Sequence, residues 1–202
     1  VLLAAIMTMA MAVTALAADV GTKTTGTNKL TVNVKSGEGV PAQTLKDQTI
    51  NLYKLFDVTE SKSGETTNYA YTVNDTYKAA LASVLSITET SKDEEFAAKV
   101  TGLGANNSVK VQQFANDFTA YALKNSLAAT KTSGKITDSK TDYEFTDLAA
   151  GYYLVYVTGG KEIQSSLVTV DSPTSTVNLK TEAPSITKTA DKETVSIGQV
   201  VK

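Results

Sequence analysis

YEFTDLAAGYYLVYV, Tyr143 to Val157, is the stretch on which the fold turns. It reads as a strand, a tight connection that needs a small, flexible residue at Gly151, and a second strand, together a β-ribbon. The second strand, YYLVYV, is apolar at every position, the pattern of a central strand covered on both faces. Working downstream, TGGKE is a turn, IQSSLVTV a strand, DSPTS a turn and TVNLK another strand. Pro184 then breaks the chain, SITK opens a short new run, and TVSIGQVVK alternates again up to Lys202.

Upstream, KLTVNVK (residues 29–35) alternates with period two, placing Leu30, Val32 and Val34 on one face. INLYKLFDV puts Ile50 and Leu52 on one face and Tyr53 and Leu55 on the other. ESKSGETTN is a turn, and Tyr69, Tyr71 and Val73 mark a third strand that forms a hairpin with the strand before it. Between these strands and the ribbon the period changes from two to three and four. Asp75 caps a helix carrying Tyr77, Leu81, Val84 and Leu85. Ser91 and Glu94 form a capping box ahead of Phe96 and Val100. Asn107 or Ser108 opens a longer helix through Val111, Phe114, Ala115, Phe118, Tyr121, Ala122 and Leu127. The reading is a mainly β sandwich of six or seven strands, with a helical insertion at about residues 75–128 covering its side or end.

Composition narrows the function classes. The 202 residues contain no Cys, His, Trp or Arg. Disulfides, imidazole or thiolate metal sites, and Ser-His-Asp or Cys-His catalysis are therefore absent, and no metal or cofactor is expected. All 19 basic residues are lysine against 21 acidic ones, a net charge of -2 with no basic stripe for nucleic acid. The 31 threonines favour strands over helix interiors. A carboxylate-based glycosidase is not supported, because Asp93, Glu94 and Glu95 read as the acidic first turn of a helix.

The two ends carry their own expectations. Residues 1–17 are uncharged, rich in Ala and close with Ala15-Leu16-Ala17, which reads as a truncated secretory signal peptide. Residues 18–28 read as a flexible N-terminal segment, residues 29–180 as the first domain, and residues 181–202 as a linker and the opening strands of a second β domain.

Tyr143, Phe145, Leu148, Gly151, Tyr153 and Val155 together match a Y-x-F-x-x-L-x-x-G-x-Y-x-V pattern. This resembles the signature of Cna protein B-type immunoglobulin-like domains of Gram-positive surface proteins. The order of parts, from signal peptide to a last strand ending in lysine before a proline, is similar to the N-terminal domain of a sortase-assembled backbone pilin. The resemblance implies an immunoglobulin-like sandwich and a shaft subunit of a covalent pilus anchored to the cell wall and supporting adhesion. It implies a class C sortase and identical subunits as partners, with ancillary pilins and host surface ligands beside them. In such pilins an acyl-enzyme is attacked by a lysine that closes a Tyr-Pro-Lys-like motif. Here Val177-Asn178-Leu179-Lys180 stands at that place, with Asn-Leu in place of Tyr-Pro, so Lys180 matches the acceptor by position. Lys188 matches the lysine that forms an intramolecular isopeptide bond in the second domain. Lys29 sits where relatives place the corresponding lysine of the first domain, and Asn178 could face it. The acid such relatives carry after the ribbon is missing before Glu162, so Lys29 reads as an end-of-strand charge. The alternative is an ancillary pilin or adhesin whose helical insertion binds a host ligand.

Overall fold

A computed structural model describes residues 22–34, 43–104, 108–160 and 164–179. The signal-peptide segment, Lys180, the Pro184 linker, Lys188 and the opening of a second domain lie outside these residues. The strands are β1 (Thr22–Lys23), β2 (Asn28–Val34), β3 (Thr49–Ser63), β4 (Thr66–Val73), β5 (Lys131–Lys135), β6 (Asp142–Leu148), β7 (Gly151–Thr158), β8 (Gln164–Val170) and β9 (Thr174–Leu179). A short 3-10 turn (Asp75–Tyr77) and helices α1 (Lys78–Leu85), α2 (Asp93–Thr101) and α3 (Val109–Lys124) separate β4 from β5.

Two sheets result. The larger runs β1-β3-β7-β8, with β4 and β5 also paired to β3; the smaller runs β6-β2-β9. In the smaller sheet β2 is antiparallel to β6 and parallel to β9. The expected β3–β4 hairpin is present, from Phe56↔Val73 to Ser63↔Thr66. Its arms are longer than the sequence indicated, because the turn shrinks to Gly64 and Glu65, with Gly64 at a positive φ of 64°.

The stretch 143–157 is not a ribbon. β6 belongs to the smaller sheet and β7 to the larger, so the connection between them is a corner from one sheet to the other. The left-handed residue there is Asp147, at φ 55°. Gly151 is required for space rather than flexibility: a Cβ on it would sit 2.5 Å from the Phe56 carbonyl oxygen of neighbouring β3.

Alternation along β3 and β7 builds two cores. Ile50, Leu52, Tyr153, Val155 and Val157 face the smaller sheet and pack with Leu30, Val32, Phe145, Leu148 and Val177. Tyr53, Leu55, Tyr152, Leu154 and Tyr156 face the other way and pack with Leu81, Phe96, Phe114 and Phe118 of the helices. The helical insertion therefore covers the outer face of the larger sheet, not its side or end. The cause is the second apolar set of YYLVYV, which has no partner sheet and is desolvated by helices instead.

Local details differ from the sequence reading at the caps. Asn74, not Asp75, accepts the Thr76 N–H at the first turn. Lys92 occupies the N-cap of α2 without a side-chain hydrogen bond, so no Ser91–Glu94 box forms. Ser108 caps α3 by accepting from Val111 N–H, as one of the two residues expected there. Among the described residues no helix is long and apolar enough to cross a membrane.

Candidate functional site

Four of the motif residues, Phe145, Leu148, Tyr153 and Val155, are buried between the sheets. Tyr143 packs beside them, its ring 4.8 Å from that of Phe145. The Tyr153 hydroxyl donates to the Ala149 carbonyl at 2.7 Å, tying the start of β7 to the corner that precedes it. The motif thus holds the two sheets together at one turn, and its side chains are occupied by packing.

The smaller sheet carries the candidate linkage region. β9 runs beside β2 in parallel register, from Lys29↔Thr174 to Val34↔Leu179. Val177 and Leu179 point into the inter-sheet core while Thr176 and Asn178 are exposed. Leu179 is the last described residue of β9, and Lys180 follows it in the sequence. Lys29 and Asn178 are not brought together. Lys29 Nζ lies 3.0 Å from Glu144 Oε1 across the β2–β6 pair, with both side chains about half exposed. Asn178 is in register with Asn33, whose amide donates to it at 3.5 Å.

The sequence reading missed a second charged group. Asp57 is only 3% exposed. Its Oδ1 lies 2.6 Å from Lys54 Nζ and its Oδ2 2.8 Å from Lys23 Nζ. Lys54 is three residues back on β3, and Lys23 reaches in from β1 with a side chain 57% exposed. Burial pushes the Asp57 carboxyl up, but its hydrogen bonds to Lys23 and Lys54 outweigh this and hold it below the ordinary aspartate value. Lys23 is correspondingly raised by its hydrogen bond to Asp57, against a smaller opposing effect of burial. A carboxylate so fixed stays ionised at neutral pH and is a poor proton donor. The available signal was an aspartate closing the apolar run INLYKLFDV, where a solvent-facing reading is equally natural.

Among the described residues no three acidic side chains converge as a cation site. Among the described residues, shallow grooves lie on the helical layer, one of them lined by Ser83, Val84, Asp117, Ala120, Tyr121 and Lys124. No family model, curated protein or solved structure matches the chain.

Proposed function

We propose that this chain is the repeating shaft subunit of a covalently polymerised Gram-positive surface pilus, secreted and anchored to the cell wall. Its two sheets would be the N-terminal immunoglobulin-like, Cna protein B-type sandwich of that subunit. The observation carrying this reading is the packing of β9: the segment that leads into Lys180 in the sequence is a strand in parallel register with β2, anchored by the buried Val177 and Leu179. An amine at that place follows a rigid element and precedes a proline-containing segment, which suits presentation to an enzyme. The hydrogen bond from Tyr153 to the Ala149 carbonyl is a second support, since a tyrosine tied back across the corner between sheets recurs in immunoglobulin-like sandwiches.

The chemistry belongs mostly to the partner. A class C sortase holds the threonine carbonyl of one subunit as a thioester. The Lys180 amine of the next subunit attacks, the C–N amide bond forms, and the C–S bond breaks to return the enzyme's thiolate. A lysine at its free pKa of about 10.4 must first lose a proton to the enzyme's base, because the ammonium has no lone pair. Lys188 would form the intramolecular isopeptide bond of a following domain.

The test is mass spectrometry of protease digests of native cell-wall material, searched for a branched peptide ending in threonine. A branch on Lys180, and loss of the high-mass ladder in a Lys180→Arg strain, is the expected result. A branch on another lysine would replace Lys180 as acceptor. An unbranched chain with no ladder would overturn polymerisation and favour the adhesin alternative.

A further inference from the structure

The segment at residues 22–27 crosses from one sheet to the other over the β6–β7 corner. β1 pairs with β3 at Glu60 and Thr59. The Thr24 N–H donates to the Val58 carbonyl at 3.0 Å, and its hydroxyl to the Ala150 carbonyl at 3.4 Å. Thr27 N–H then donates to Leu148 O at 3.2 Å, in the smaller sheet. The backbone lies so close at Gly26 that a Cβ there would be 2.4 Å from the Asp147 carbonyl oxygen. None of residues 22–27 is buried, and only Thr24 is even half-buried. The segment is thus held by polar contacts, these hydrogen bonds and the Lys23–Asp57 ion pair, with almost no apolar area behind them.

The charge arithmetic at Asp57 favours release. When a buried ion pair loses one partner, the uncompensated charge normally makes the loss costly. Here Asp57 retains Lys54 at 2.6 Å when Lys23 leaves, so the buried site goes from two lysines per carboxylate to one. Lys23, already more than half exposed, returns to water at little cost. The geometry points to residues 22–27 being a releasable strap, latched by Lys23 on Asp57, whose departure uncovers a strand-accepting edge of β3 at Asp57 to Glu60. The uncovered edge presents the Val58 carbonyl, the positions that pair with β1 and a carboxylate oxygen placed for an ammonium group. Its occupant in the closed state is the strap itself.

Hydrogen exchange followed by mass spectrometry, on the full chain and on Lys23→Met, tests this. The strap amides of the unaltered chain are expected to exchange at least about tenfold faster than those of β2, through local opening. In Lys23→Met the strap should speed up a further fivefold or so, the effect of losing an ion pair of about 1 kcal/mol whose lysine is more than half exposed. Peptides of β7 should speed up by no more than that same factor, and the thermal midpoint should fall by no more than about 2–4 °C. Carbodiimide labelling of carboxyl groups reads the uncovering directly, with Asp57 reacting faster in Lys23→Met. Strap amides that exchange only as fast as the core would overturn the proposal. So would an unaltered strap rate in Lys23→Met, or a faster strap with Asp57 still unlabelled.

Discussion

Asp57 occupies a position that an apolar residue would fill by strand alternation alone, since Leu55 and Phe56 precede it and are completely buried. Its presence is tolerable because both carboxylate oxygens are met by lysine amines. Replacing it by Asn would leave Lys54, with a side chain only 16% exposed, without its countercharge. Removing one partner of a buried pair typically costs 3–5 kcal/mol, and because Lys23 can swing into water we expect about 3 kcal/mol for Asp57→Asn in chemical denaturation at neutral pH. The pH dependence follows in sign. The folded-state value lies below the ordinary 3.8, so Asp57 contributes its stability in full above that value and loses it as pH falls through the lower folded value. Stability of the unaltered chain should therefore drop below pH 3.8 more steeply than that of Asp57→Asn. Parallel acid limbs for the two proteins would show that Asp57 is not held ionised by its lysines.

At the scale of elements, the helical layer earns its place by covering the outer half of β3 and β7. Phe118 of α3 is completely buried, with ring centroids 5.6 Å from Tyr53 and 5.9 Å from Tyr77, both in edge-on geometry. Phe118→Ala opens a cavity at this junction and should destabilise by about 4 kcal/mol, read from the denaturation midpoint at unchanged slope. A loss below about 1 kcal/mol would mean that α3 does not seat on the sheet through Phe118. The same region shows what the sequence made legible. The helices, β2, β4 and the two faces of β3 follow from apolar periodicity, which reports burial directly. β1 and β5 do not, because TK and KTSGK are polar edge strands whose pairing is set by β3 and leaves no periodic trace. The corner at residues 149–150 was equally hidden: alternation says which face a residue takes, but not which sheet its strand joins. The linkage region was legible only as far as β9, whose parallel pairing with β2 depends on a contact between residues far apart in the chain. The Asp57 cluster also needs such a contact, from Lys23, and no local pattern encodes it.

For the whole molecule, the decisive arrangement is that β3 and β7 contribute side chains to both cores, so neither core can be lost while the other keeps its walls. The tyrosines make this testable. Six of the nine, Tyr53, Tyr71, Tyr77, Tyr152, Tyr153 and Tyr156, have hydroxyls raised above the ordinary value, burial being the leading cause in each. Tyr153 lies between the sheets, whereas Tyr53, Tyr77, Tyr152 and Tyr156 lie under the helices. An acid whose folded value is raised keeps its proton while the unfolded chain gives it up. Its stabilising contribution is thus complete below about pH 10 and declines as pH rises through the folded value. Alkaline titration should therefore unfold the chain above about pH 10, with the buried tyrosines ionising as it unfolds rather than one by one. Because both cores hang on the same two strands, tyrosinate absorbance and the circular dichroism of strands and helices should change together in one transition. Two separated steps, with helical signal lost while the strand signal persists, would mean that the helical layer detaches independently and that β7 does not couple the cores.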